Sequence, residues 1–450
     1  MIQRIIAIVA GMLLSVAGSS AQIQGKGPKV LTLQECLRLA RENNLDIQRA
    51  EAQLLGAGAR LTAAFGRYLP GLSLSAGYSR RLDQQQQQFV NIGGQLIPVP
   101  RSPANSYSLS VSASLPLFDG FAREAQFAQA QDQLQATELQ AADTRRRVFQ
   151  QVYDQFLEVQ KAYRLIDLRK ADLETAETQL RKLEVQYEAG RIAKPALYQQ
   201  QAQVAQKQLA LVQAQNQLTL AKAKLLSLIG LAPTLSVEFS SAGLPDTVTA
   251  AMMQDFRQRI GTFQTVYQQA LSRRPDYLAA QKQLAIANAS LTVARSGYFP
   301  SLSAALSWSW ANSELRDFDR LGRTFVGLSL RVPIFDNFRT NEQIQSANVQ
   351  RMQRELELRQ IEQQIAADIE QAFLQLDASE RELQAATVAL DAARLNYASA
   401  QERLDVGKIS LAEYAQANSQ FTSAKVNYLT ALFNYLKAQY QLKMLTGTEP

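Results

Sequence analysis

Four segments of the chain alternate apolar and polar residues one by one, and they come in two pairs. Leu72, Leu74, Ala76 and Tyr78 alternate with Ser73, Ser75, Gly77 and Ser79, while Tyr107, Leu109, Val111, Ala113 and Leu115 alternate with serines at 106, 108, 110, 112 and 114. Further on, Leu302, Ala304, Leu306, Trp308 and Trp310 alternate with Ser301, Ser303, Ala305, Ser307 and Ser309, and Val326, Leu328, Leu330 and Val332 with Gly327, Ser329 and Arg331. Alternation puts all the apolar side chains of a strand on one face. Each run is about ten residues long, enough for a tilted strand to cross a bilayer.

The pairs are copies. RYLPGLSLSAGYS at 67 to 79 returns as GYFPSLSAALSWS at 297 to 309, and SLSVSASLPLFDGF at 108 to 121 returns as GLSLRVPIFDNF at 327 to 338. Pro70 aligns with Pro300, Pro116 with Pro333 and Gly190 with Gly407. Only the interval between paired strands changes length, from RLDQQQQQFVNIGGQLIPVPRSPAN to ANSELRDFDRLG. Such variation marks an exposed loop, and Gln84 to Gln88 belong to it.

Helical pattern surrounds both copies. Residues 122 to 189 and 339 to 406 contain neither proline nor glycine, so each stretch can extend as one helix of roughly 100 Å. In the second, Ile365, Ile369, Ala372, Leu376, Leu383, Ala386, Leu390, Ala393, Tyr397, Ala400 and Leu404 recur at helical spacing, which demands other helices to pack against. Each long helix ends at a glycine suited to cap it, Gly190 or Gly407, and helical pattern resumes at 196 to 229 and 413 to 446. Pro195 sits where a helix can begin. These are helical hairpins. Shorter helices, 45 to 66 and 275 to 296, precede the first strand of each copy. A returning helix and a short one, stacked end to end beside each long helix, fall short of its length and leave an expected mid-height gap of roughly 18 Å. Segments 22 to 44, 230 to 274 and 447 to 450 are available as a belt around it.

Four strands cannot close a barrel, for which about eight are needed, so other copies must supply the rest. Composition narrows the function further. Arg4, the apolar run from Ile5 to Val16 and Ser19-Ser20-Ala21 read as a signal peptide over residues 1 to 21, so the mature chain leaves the cytoplasm. Cys36, the single cysteine, can make no intrachain disulfide, and Glu35 before it does not suit lipidation; it reads as a small residue on an apolar helix face. The net charge of +7 arises from 47 basic and 40 acidic residues mixed along helices, a solvated surface and not a nucleic-acid patch. The chain contains no histidine, hence no Ser/His triad or HExxH zinc site, and no phosphate-binding GxxxxGK loop. Glu314, Asp317 and Asp319 in the second loop read as hydrated surface acids. No cofactor or metal is expected, and no enzyme.

With PLFDG at 116 to 120, PIFDN at 333 to 337 and the duplicated glycine tips, the chain resembles the TolC-like outer membrane efflux proteins over residues 30 to 446. The resemblance implies a mainly α protein with membrane β: a homotrimer whose twelve-stranded β-barrel, four strands per chain, lies in the outer membrane and continues as a long periplasmic α-helical barrel. Residues 67 to 120 and 298 to 338 would form the barrel strands and loops; 45 to 66, 121 to 229, 275 to 297 and 339 to 446 would form the helical barrel. It implies a passive exit duct of a tripartite efflux or type I secretion system, opened by docking of a periplasmic adaptor (membrane fusion) protein and an inner-membrane transporter. Gly190, Arg191, Ile192, Gly407, Lys408 and Ile409 would then form the docking tips. Glu413 matches one of two acidic positions that line the family's periplasmic constriction; the other is Gln416 here, and the first repeat has Ala196. Tyr107, Trp308 and Trp310, near strand ends, are expected to anchor the barrel in lipid. The rival reading is an exported coiled-coil scaffold without channel activity, its strands forming a soluble sheet.

Overall fold

The computed structural model describes residues 29–82, 89–98 and 103–447. The signal-peptide segment, Gln84 to Gln88 and residues 448 to 450 lie outside the described residues. Strand β1 (Lys29–Leu31) leads into α1 (Leu33–Asn43) and α2 (Leu45–Gly66), then β2 (Gly71–Arg80), β3 (Phe89–Ile92), β4 (Gln95–Pro98) and β5 (Asn105–Phe118). The first hairpin is α3 (Ala122–Glu188) and α4 (Lys194–Leu228). After β6 (Val237–Phe239), α5 (Ala250–Ile260) and α6 (Phe263–Arg273), the second copy runs α7 (Pro275–Ser296), β7 (Ser301–Asn312), α8 (Phe318–Leu321), β8 (Arg323–Arg331), α9 (Arg339–Asp405) and α10 (Leu411–Leu445).

The four alternating runs form one antiparallel sheet in the order β2-β5-β7-β8. Register aligns like with like: Leu72 opposes Ala113, which opposes Leu306, which opposes Val326. All apolar members therefore share one face, and the serines share the other, where the Ser73 and Ser112 hydroxyls meet at 2.7 Å. Leu72, Leu74, Val326, Leu328 and Leu330 remain exposed on that apolar face. The outer edges of β2 and β8 have no partner strand among the described residues. The expected first loop contains more structure than alternation revealed: β3 and β4 pair as a hairpin across Gly93-Gly94, both at positive φ, a turn that matches strand twist.

The helices form a single layer. α3 packs against α2 and α4 on one side and against α7 and α10 on the other, and α9 packs on α7 and α10 at the far edge. The expected gap between stacked helices is instead a closed joint. Asn44, N-cap of α2, donates its Nδ2 to the Leu228 carbonyl at the end of α4 (2.8 Å) and accepts from the Asp46 and Ile47 amides through Oδ1. Gly230 approaches Asn43 so closely that a Cβ would sit 2.4 Å from its carbonyl oxygen. In the second copy Gly447 meets Arg273 and Arg274 in the same way. The shortfall in helix length is taken up at these turns.

Around the joints lie the two main cores. One joins Val152, Phe156 and Val159 of α3 with Leu225 and Leu226 of α4, Leu39 of α1, and Val237 and Phe239 of β6, which pairs in parallel with β1. The other joins Ile365, Ile369 and Leu376 of α9 with Leu432 and Leu436 of α10, Phe256 of α5 and Val266 of α6. Each fully buried side chain of this size contributes about 1.5–3 kcal/mol, so packing is concentrated at mid-height, where segments from both ends of the repeat meet.

Candidate functional site

Three places carry the features expected of a duct: the turns from sheet to long helix, the hairpin ends and the face of the helical layer. The FDGF and FDNF motifs are the turns. Asp119 accepts the Arg123 amide (3.1 Å) and Asp336 accepts the Thr340 amide (2.8 Å), each satisfying a free N–H at the start of a long helix. The two residues after each aspartate, Gly120-Phe121 and Asn337-Phe338, have positive φ. At Gly120 space matters as well as φ, since a Cβ would lie 2.7 Å from that of Phe299. Thr340 holds the Asp336 carboxyl below the usual range through hydrogen bonds from its hydroxyl and amide.

The turned-out aromatics cluster at this level. Phe121 meets Phe118 and Phe299 edge to face, Phe335 meets Phe338 likewise, and Tyr298, Phe299, Phe335 and Phe338 are exposed. This aromatic girdle was missed by strand alternation, although the repeated phenylalanines of the motif were its signal. At the opposite end of the sheet Tyr107 and Trp308 are half-buried, and Tyr107 packs on Tyr78. Trp310 departs from expectation. It is only 2% exposed, stacked at 4.2 Å on Phe318 of α8. Its ring is covered by the second loop, so it fastens that loop to the sheet and does not face lipid. Glu314 and Asp317 of the same loop lie against Arg316.

Both hairpins reverse by the same backbone device. The Arg191 amide donates to the Gln186 carbonyl and the Lys408 amide to the Arg403 carbonyl, 2.8 Å each, across Gly190 (φ +70°) and Gly407 (φ +72°). Neither glycine has anything near its would-be Cβ, so the positive φ alone requires it. Arg191 and Lys408 are exposed; Ile192 and Ile409 are half-buried.

Side chains then distinguish the two ends. α4 begins without a side-chain cap and relies on Pro195. α10 is capped by Ser410, which accepts the Glu413 amide (3.2 Å) and meets the Glu413 carboxylate at 3.3 Å. Glu413 thus has a local capping role that its spacing from Ser410 could have revealed. It is exposed and free to serve a second one. Behind it, Tyr414 and Ala417 pack with Ala400 and Ile409, and the Tyr397 and Tyr414 hydroxyls lie 3.1 Å apart. Higher up, Thr422 of α10 donates to the buried Asp172 of α3 (3.0 Å), tying the two hairpins together.

Cys36 lies buried in the mid-height core, where loss of hydration and the neighbouring Glu35 push its thiol up to about 12. It remains a protonated, unreactive packing residue.

Known proteins resemble the chain along most of its length. The family model described as outer membrane efflux protein matches residues 36–231 and 266–448. The pyoverdine export outer membrane protein OpmQ of Pseudomonas aeruginosa is 27% identical over 312 residues, covering 68% of this chain and 62% of that protein. The outer membrane protein TolC of Vibrio cholerae is 23% identical over 434 residues, 92% of this chain and 90% of that protein. Among solved structures, the Campylobacter jejuni CmeC outer membrane channel shares the fold with a TM-score of 0.76 at 18% identity, covering 92% of this chain and 85% of that one. With the one-faced sheet, the twin hairpins and a family match over most of the sequence, the chain belongs to the outer membrane efflux protein family.

Proposed function

We propose that three copies of this outer membrane efflux protein close into one passive exit duct, twelve strands in the outer membrane continued by twelve helices in the periplasm. The observation that carries this reading is the open four-stranded sheet. Its two unpaired edges and exposed apolar face are satisfied together when copies join edge to edge in lipid. The helical layer has matching free edges, the α2–α4 stack on one side and α9 on the other. The described parts of the belt, 29 to 44 and 230 to 274, gird the tube at mid-height; residues 22 to 28 and 448 to 450 lie outside the described residues. The duct does no chemistry of its own.

The hairpin ends are its periplasmic entrance. Gly190, Arg191, Ile192, Gly407, Lys408 and Ile409 form the surface that a periplasmic adaptor and an inner-membrane transporter engage. Glu413, capped and exposed, turns its carboxylate toward the threefold axis, where three of them favour cations at the constriction. Purified protein in planar bilayers tests the reading. Discrete channels are expected, and Glu413→Ala is expected to weaken their cation preference. A water-soluble, non-conducting protein would instead fit the rival scaffold, and an unchanged preference in the variant would remove Glu413 from the constriction.

A further inference from the structure

The face of the helical layer that looks into the duct can be identified from the belt. Phe149, Val152 and Phe156 of α3 pack beneath α1 and β6. Gln126, Gln133, Gln140 and Arg147, spaced at heptad intervals, lie roughly half a turn away around the same helix. Twelve helices spaced about 10 Å apart make a ring roughly 38 Å across between axes. Three belts do not fit inside it, so they lie outside, and the glutamine stripe lines the bore.

On this inner face, just below the sheet, is a groove of about 570 Å³ that straddles α3 between α2 and α7. It lies on the face of the layer and not at a lateral edge, so a neighbouring copy does not cover it. Arg60 and Arg67 line it with Gln126 and Gln133, and small alanines leave room beside them. Both arginines are exposed. Arg67 donates to Gln126, and no carboxylate is paired with either guanidinium among the described residues. Deeper in the bore the charges compensate one another: Arg49 pairs with Asp46, Arg147 with Asp143 and Arg354 with Glu357. Among these bore charges, Arg60 and Arg67 alone lack a carboxylate partner among the described residues.

We propose that this groove is a binding station for organic carboxylates, and that the cargo of the duct is anionic and carries several such groups. The inference rests on the duct reading. A guanidinium holds a carboxylate through two parallel hydrogen bonds, the glutamine amides supply further donors, and the volume suits a small organic molecule. Threefold symmetry places six guanidiniums in two rings about 10 Å apart along the axis, where the low-dielectric wall focuses their field on passing anions. In a wide aqueous bore such a station retains its ligand briefly and lets it leave.

Citrate is the probe. Added on the extracellular side of single channels of the full protein at low salt, it is expected to reduce unitary current. The half-blocking concentration should rise about tenfold or more in R60Q/R67Q and by a smaller factor, about threefold, in R60K/R67K, because lysine keeps the charge but loses the paired hydrogen bonds of the guanidinium. Arg60→Gln alone, at an exposed position without a structural partner, should give a smaller rise, which protects the test against misfolding of the double variant. Arg38→Gln on the outer face of the belt should change nothing. Open channels that citrate leaves unblocked, or equal block in R60Q/R67Q, would overturn the station while leaving the duct intact. Absence of any channel in the wild type would overturn the duct reading and the station with it.

Discussion

Asn44 and Arg274 stand at the same joint in the two halves of the chain, and they close it with different chemistry. Asn44 is neutral, and all three of its side-chain hydrogen bonds stay within the joint, to the start of α2 and the end of α4. Arg274 is a buried cation. Its Nε and Nη2 clasp Asp276 at 3.1 and 2.7 Å, and Nη1 reaches 3.5 Å from Asp368 on α9. The first joint is self-contained, whereas the second ties a helix junction to the edge helix across the layer. The hairpin ends repeat the contrast, with a bare proline start in the first copy and a capped, tyrosine-backed start in the second. Duplication preserved the backbone devices, and the side chains diverged in how far they reach.

Removing the two joint residues should separate the copies most. Arg274→Ala leaves the Asp276 and Asp368 carboxylates, each about a third exposed or less, without their cation, and should cost about 3 kcal/mol. Asn44→Ala removes a cap and leaves the Leu228 carbonyl unmatched, about 1–2 kcal/mol. Denaturant melts of the detergent-solubilised protein measure both, and equal losses would break the comparison.

Alanine at the hairpin glycines comes next. Gly190→Ala and Gly407→Ala should each cost about 1–2 kcal/mol, since the same left-handed φ is imposed at both. Their consequences should differ: hydrogen exchange is expected to open the first hairpin end, while the Tyr397–Tyr414 clasp keeps the second protected. Adding Tyr414→Ala to Gly407→Ala should abolish that protection.

The smallest effect is one of acidity. Burial raises the Asp276 carboxyl, but the hydrogen bonds and charge of Arg274 outweigh it and hold the group below its ordinary value. A depressed carboxyl contributes stability above its unfolded pKa and loses it as pH falls through the folded one. Wild type should therefore lose stability below about pH 4 more steeply than Asp276→Asn. No such acid-sensitive difference is expected of Asn44→Ala, because the first joint has no titrating cap.

Much of this architecture was legible as pattern. Alternation located the four strands, the absence of proline and glycine located the long helices, and Gly190 and Gly407 marked the reversals to the residue. Helix starts were less exact: α4 and α10 begin at Lys194 and Leu411, ahead of the expected 196 and 413, because Pro195 and the Ser410 cap start the helical turn before the apolar period. The β3–β4 hairpin went unread because its apolar runs are short, although Gly93-Gly94 was the signal for its turn. The mid-height gap was inferred from lengths, and lengths cannot show that Asn44 meets Leu228. Among the candidate residues, the hairpin tips follow from glycine spacing. The cover over Trp310 and the bare arginines at 60 and 67 do not, since each depends on what lies across the chain.

What the sequence determined by itself was whatever repeats at short range: strand faces, helix extents and left-handed turns, all consequences of local sterics and alternation. Only the tertiary structure decided which face of the helical layer the belt covers, which charges are compensated and how the joints close. Those outcomes rest on contacts between residues far apart in the chain, such as Arg274 with Asp368, Asp172 with Thr422, and the belt packed on α3. Their energy depends on distance and burial, and neither is written in the order of the residues.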